Sequence, residues 1–189
     1  MEKYIQVYHD VISQEKCQYF IDKFESDVEN HEVQNNANDA TLTQINLLHS
    51  PDTIWKEDRD FITKILMENV VRYRNECDVK PYQWPEKFNF EPPKIKRYLP
   101  DTTDEFPEHV DVLDHETARR FLVMFIYLNS NFGGATELPL KSKYENHKFV
   151  SHCTQGSILI FPPLWPWIHA GRKPIDGPKY IIGSYLHYA

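Results

Sequence analysis

From residue 94 onward the chain is a succession of short apolar or alternating runs separated by turns, and this constrains the fold more than any other feature. The runs are 94–98, 109–113, 121–128, 136–138, 149–153, 157–161, 168–171 and 179–188. Runs this short, bounded by Gly and Pro, predict strands. Gly156 and Pro162-Pro163 enclose the apolar stretch Ile158-Leu159-Ile160-Phe161, which reads as a buried strand. Pro174, Asp176, Gly177 and Pro178 mark a turn between the last two strands, a hairpin signature. Eight short strands fit a jelly-roll, or double-stranded β-helix, an architecture that can enclose a small-ligand site.

The first half has a different period. Residues 12–29 carry Cys17, Phe20, Ile21 and Phe24 at helical spacing behind an N-cap candidate, Ser13. Residues 54–76 carry Phe61, Ile65, Leu66, Val70 and Tyr73 in the same way. Both predict helices packed on the sheet, which makes the fold class α+β. Residues 31–46 are polar and Asn-rich and predict a loop or irregular insertion. Residues 82–93, with Pro85, Pro92 and Pro93, predict a linker. At 189 residues and 41% hydrophobic content the chain suits one domain with its own core. That domain divides into a helical N-terminal support region, 1–93, and a β-helix core, 94–189.

Other classes are disfavoured. The first ten residues lack the apolar stretch of a signal peptide, and no run approaches membrane-spanning length, so a cytoplasmic protein without a membrane partner is expected. Cys17, Cys77 and Cys153 form no CxxC pair and suggest neither a zinc knuckle nor a disulfide framework. A net charge of -7 argues against a dominant nucleic-acid footprint, while leaving room for a local basic patch.

Within the strand-rich half, His109-Val110-Asp111 is followed far downstream by His169 and then by Lys179. With 9 His and 28 Asp plus Glu, chance gives roughly one His-x-Asp/Glu triplet, so the triplet proves nothing alone. Its setting adds weight. On a strand over 109–113, period two would aim His109 and Asp111 at one point. Two imidazoles and a carboxylate can occupy one face of an octahedral metal and leave the other open, although the same set also suits a hydrolytic zinc centre. In the last strand, alternation puts Lys179, Ile181, Gly183, Tyr185 and His187 on one face. A lysine buried there needs an anion.

The order His109-x-Asp111, Tyr127-Leu128-Asn129, Gly133-Gly134-Ala135-Thr136-Glu137-Leu138-Pro139, Phe161-Pro162-Pro163, His169-Ala170-Gly171 and Lys179-Tyr180 resembles the prolyl 4-hydroxylase branch of the Fe(II)/2-oxoglutarate-dependent dioxygenases. The resemblance covers about half of the chain. It implies a double-stranded β-helix and an Fe(II) centre held by His109, Asp111 and His169. It implies 2-oxoglutarate and O2 as cosubstrates, with ascorbate as an optional addition. Lys179 would bind the distal carboxylate of 2-oxoglutarate, and Tyr127 and Tyr98 match residues near the cosubstrate. Arg120, Tyr185, His187 and Trp167 become candidate substrate contacts. The chain departs from many prolyl 4-hydroxylases at Val123 and at Leu99-Pro100-Asp101.

The reaction implied is hydroxylation of an unactivated C–H bond, with succinate and CO2 as co-products, on prolyl residues of a peptide or protein. Two alternatives stay open. One is the same chemistry on another amino acid, a small molecule or a nucleobase; the acidic charge, and the lack of the paired arginines expected in the last strand of demethylase relatives, disfavour the nucleobase. The other is a non-oxygenase metal-binding β-barrel.

Overall fold

The computed structural model describes residues 2–35, 40–48, 52–141 and 146–189. Two helices, α1 (Gln14–Ser26) and α2 (Asp52–Glu76), accompany twelve strands among these residues: β1 (Gln6–Tyr8), β2 (Glu32–Asn35), β3 (Thr41–Asn46), β4 (Phe88–Phe90), β5 (Lys94–Tyr98), β6 (Phe106–His109), β7 (Arg120–Tyr127), β8 (Asn131–Lys141), β9 (Asn146–Cys153), β10 (Ile158–Phe161), β11 (His169–Gly171) and β12 (Lys179–Tyr188). The strands form two antiparallel sheets. The larger runs β1-β10-β7-β12-β5-β3-β2, with β4 also paired to β12, and the smaller runs β6-β11-β8-β9. This is a double-stranded β-helix with helices on one side, an α+β fold.

The large sheet is buried on both faces, and alternation along its strands separates two cores. On β7, Leu122, Met124 and Ile126 join the helix-side core, where Cys17, Phe20, Phe24, Trp55, Leu66 and Val70 supply the helical stripes. Val123, Phe125 and Tyr127 point the other way and meet Leu138, Leu140 and Phe161 between the sheets. Residues on β12 divide likewise: Ile182 and Leu186 face the helices, while Ile181 and Tyr185 face the inter-sheet space.

The helices begin and dock for local reasons. Ser13 Oγ accepts from the Lys16 N–H at 3.2 Å and caps α1. Asp58, buried on α2, receives Lys16 at 3.2 Å, Lys23 at 2.5 Å and the Tyr19 hydroxyl at 3.1 Å, which ties the helices together. No helix among the described residues is long and apolar enough to cross a membrane.

Three sequence expectations are corrected. Residues 31–46 are not a plain loop: β2 and β3 lie there, and every residue of β3 is buried. Residues 36–39 lie outside the described part. The cause is the ladder. β3 pairs with β5, Ile45 opposite Ile95 and Thr43 opposite Arg97, so even its polar residues are covered by neighbouring strands. The supposed linker at 82–93 contains β4, which pairs with the end of β12. Together with β1, these strands mean that the first 93 residues contribute four strands as well as two helices. Finally, the strand expected at 109–113 ends at His109. The Asp111 N–H donates to Pro163 O at 3.2 Å and its carbonyl accepts from Arg120 Nη1 at 3.1 Å, so its backbone leaves the ladder.

Candidate active site

Strand β6 brings His109 directly opposite His169 on β11, and the turn after β6 swings Asp111 back between them. His109 Nε2 lies 3.5 Å from Asp111 Oδ1, and His169 Nε2 lies 3.3 Å from Asp111 Oδ2. The ligand atoms of all three fall within 4.8 Å of one another. His109 Nδ1 is 2.7 Å from Pro107 O, and His169 Nδ1 is 3.1 Å from Trp167 O. These carbonyls can only accept, so each ring keeps its proton on Nδ1 and turns a bare Nε2 lone pair toward the carboxylate. His109 Nε2, His169 Nε2 and Asp111 Oδ2 are buried without a hydrogen-bond partner among the described residues. Three lone-pair-bearing atoms converging at such distances repel unless a cation sits among them, and two nitrogens with one carboxylate oxygen fit a divalent iron.

The surroundings hold this set still. Phe106 stacks on the His109 ring at 3.5 Å between centroids, with 8° between planes. Phe161 packs edge-on against His169 at 4.8 Å. Burial lowers the His169 imidazole to about 4, so it is neutral and able to ligate at neutral pH. Tyr185 on β12 donates from its hydroxyl to Asp111 Oδ1 at 2.7 Å. Behind it, Arg120 grips Glu91 through two contacts of 2.6 and 2.9 Å and lays its guanidinium 4.0 Å from the centre of the Tyr185 ring. An oriented carboxylate and two oriented imidazoles make a prepared set of metal ligands.

Lys179 lies deeper, at the start of β12, and is 1% exposed. Its ammonium makes no hydrogen bond or ion pair with any described residue. The rings of Tyr98 and Tyr127 flank it at 5.2 and 6.0 Å. Two glycines make its berth: a Cβ on Gly134 would sit 2.7 Å from Lys179 Cδ, and one on Gly171 would sit 3.8 Å from Nζ. Burial pushes this ammonium down to about 8. Strand β11 thus carries His169 at one end and Gly171 beside Lys179 at the other. A small dianion reaching from the triad toward Lys179 would answer an otherwise unpartnered buried cation.

The expected residues divide by place. His109, Asp111, Arg120 and Tyr185 line one cavity of about 310 Å³. Lys179, Tyr98 and Tyr127 cluster in the buried interior away from that cavity's lining, where the Tyr127 hydroxyl donates to Thr136 Oγ1 at 2.8 Å. Trp167 packs on the inter-sheet core and serves His169 through its carbonyl. His187 is not among the residues lining the cavity: a register shift between Leu186 and His187 interrupts the alternation that would have placed it beside Tyr185. The sequence reading did not single out Glu91, Lys94 or Lys96, which also line the cavity. The lysines had a signal, since they precede Tyr98 at two-residue spacing on one strand. Glu91 had none, because its role depends on a distant arginine.

The family model described as the 2OG-Fe(II) oxygenase superfamily matches residues 93–187. Solved structures share the fold at low sequence identity. The viral collagen prolyl hydroxylase of Paramecium Bursaria Chlorella virus-1, in its 2OG complex, superposes with a TM-score of 0.66 at 18% identity, over 98% of this chain and 96% of that one. A prolyl hydroxylase from Trichoplax adhaerens, bound to a hypoxia inducible factor peptide fragment, gives 0.71 at 13% identity over 98% and 84%. The carbocyclase SnoK of nogalamycin biosynthesis gives 0.67 at 12% identity over 100% and 81%. No curated protein sequence matches this chain.

Proposed function

We infer the reaction from one premise: the chain belongs to the 2OG-Fe(II) oxygenase superfamily. It is therefore a 2-oxoglutarate-dependent dioxygenase that uses Fe(II), 2-oxoglutarate and O2. Our proposal concerns which residues perform the reaction and on what. His109, Asp111 and His169 hold the iron, and Lys179 holds the distal carboxylate of 2-oxoglutarate, with Tyr98 and Tyr127 walling the pocket. The observation that carries this is the convergence of His109 Nε2, His169 Nε2 and Asp111 Oδ2, buried and without partners.

Bound iron supplies the oxidising chemistry that couples decarboxylation of 2-oxoglutarate to hydroxylation of a C–H bond, so that substrate, 2-oxoglutarate and O2 become hydroxylated product, succinate and CO2. The chain's share is binding and placement. Pro107 and Trp167 carbonyls fix the imidazole tautomers, Tyr185 fixes one carboxylate oxygen, and Arg120 supports Tyr185 from behind. Lys179 sets the direction in which 2-oxoglutarate lies. Aromatic and aliphatic side chains between the sheets keep bulk water away from the reacting atoms.

We assign the substrate as a prolyl residue in a peptide. Two of the solved relatives described above are prolyl hydroxylases, and one of them holds a peptide. SnoK keeps a small-molecule substrate as the competing reading. The first test is anaerobic titration of the Fe(II)-loaded protein with 2-oxoglutarate, watching the weak visible charge-transfer band. The band should appear in the wild type and vanish in His109→Ala. A folded, iron-loaded protein without the band sinks the site assignment. Proline-containing peptides then decide the substrate by mass gain of one oxygen.

A further inference from the structure

Beside the proposed iron site, the inner face of β5 carries Lys94 and Lys96 into the cavity that also exposes His109, Asp111, Arg120 and Tyr185. Lys96 stands opposite Ile181 and Lys94 opposite Gly183 on β12. Gly183 offers no side chain, and a Cβ there would lie 3.9 Å from Lys96 Cε, so the lysine stem runs over bare backbone. Its ammonium ends 5.8 Å from the centre of the Phe106 ring. Phe106 is the ring stacked on His109. One aromatic thickness therefore separates a lysine charge from a proposed metal ligand.

Neither lysine has a hydrogen bond or ion pair with a described residue. The carboxylates of the same cavity are already engaged. Glu91 is held by Arg120, Asp111 faces the imidazoles and Tyr185, and Asp114 Oδ1 accepts from the Thr117 N–H and hydroxyl, both at 2.8 Å. Gln44, opposite Lys96 on β3, donates to Glu32 at 2.9 Å. Two lysines thus face a space next to the reaction centre with no ion pair of their own: Asp111 is the carboxylate whose charge Lys96 feels, and it is already engaged by Tyr185 and faces the two imidazoles. Such groups favour an incoming oxyanion strongly, because a charge-assisted hydrogen bond replaces lost hydration.

We propose that the substrate is anionic, and that a carboxylate close to the hydroxylated carbon docks between Lys94 and Lys96. Within the prolyl reading, on which this rests, the anion is an aspartyl or glutamyl side chain next to the target proline. The carboxylate anchors the substrate on the β5 wall while the carbon to be oxidised points across the cavity toward the triad. A cosubstrate role is the rival use of these lysines, and affinity for 2-oxoglutarate separates the two.

The experiment is an anaerobic NMR titration of Mn(II)- and 2-oxoglutarate-loaded protein, following paramagnetic broadening of four probes: the acetylated, amidated dipeptides Pro-Asp, Pro-Asn, Ala-Asp and Ala-Asn. Each aspartyl probe should bind about tenfold or more tighter than its asparaginyl partner. The difference should vanish in the Lys94→Gln/Lys96→Gln double variant, with 2-oxoglutarate affinity retained. Equal affinities across charge, failure of both aspartyl probes to bind, or a preference that survives in the double variant overturns the proposal. So does a loss of 2-oxoglutarate affinity in that variant, which would give the lysines to the cosubstrate. The Pro–Ala difference tests the prolyl reading separately: if the alanyl probes bind as well as the prolyl ones, that reading fails while the charge comparison stands. Should the double variant fold poorly, the single variants Lys94→Gln and Lys96→Gln carry the same comparison, each expected to reduce the aspartyl preference; a preference unchanged in both overturns the proposal.

Discussion

A lysine that is 1% exposed and has no anion beside it is a stability burden, one that the proposed role in holding 2-oxoglutarate would account for. Its folded pKa of about 8 lies below that of an unfolded lysine, near 10.4. Burial therefore costs the full penalty below about pH 8, and the penalty fades as pH rises toward about 10.4. Lys179→Met, similar in shape and uncharged, should stabilise the ligand-free protein at pH 7 by about 1 to 3 kcal/mol while raising the 2-oxoglutarate requirement far more than the iron requirement. Urea melts of the ligand-free variant at pH 7 and pH 10 check the sign; a variant less stable than wild type at pH 7 contradicts it. Tyr185→Phe removes only the hydroxyl on Asp111 Oδ1. Metal affinity should fall by about 10-fold, with 2-oxoglutarate affinity at saturating metal unchanged. The convergence of His109, Asp111 and His169 and the burial of Lys179 were legible in the sequence because ordered residue types mark them. The Tyr185 role was not, since it was expected at the substrate, and only the three-dimensional turn after β6 brings Asp111 beneath its hydroxyl.

At the level of elements, alternation and turn residues located the strands of the second half apart from β6, which lies before His109 rather than after it, and helical spacing located α1 and α2. Where the pattern failed, polarity had hidden a buried strand. Thr41, Thr43, Gln44 and Asn46 on β3 are each 8% exposed, because neighbouring strands rather than apolar contacts cover them. No hydropathy rule sees that. The turn between β9 and β10 shows the opposite case, a feature fixed by one residue. Gly156 has φ +76, and a Cβ there would come within 2.7 Å of the Ile12 carbonyl oxygen. Its own carbonyl accepts from the Val11 N–H at 2.9 Å, fastening the turn to the segment before α1. Gly156→Ala should cost about 1 to 3 kcal/mol, from the left-handed backbone and the displaced carbonyl together. The denaturant midpoint should drop with an unchanged slope; an unaltered midpoint would show that the turn relaxes freely.

Across the whole molecule, the large sheet separates a helix-side core from the inter-sheet core that holds the site, and the site draws on both sheets. The triad comes from the small sheet and its turn, while Lys179, Tyr98, Tyr127 and the two lysines of β5 come from the large one. No local segment contains a working half. The cross-strand pairing of His109 with His169 has a kinetic consequence. The long loop between these two residues makes joining β6 to β11 costly in closure entropy, so we expect this pairing to form late on the folding route, when most surface is already buried. A metal bound there acts as a latch on the finished structure rather than a seed for it. Added Mn(II) should leave the refolding rate unchanged and slow unfolding by the full factor of its stabilisation, lengthening survival against proteases that cut only the opened chain. A chevron whose folding limb rises with Mn(II) would place the histidine pairing before the rate-limiting barrier instead.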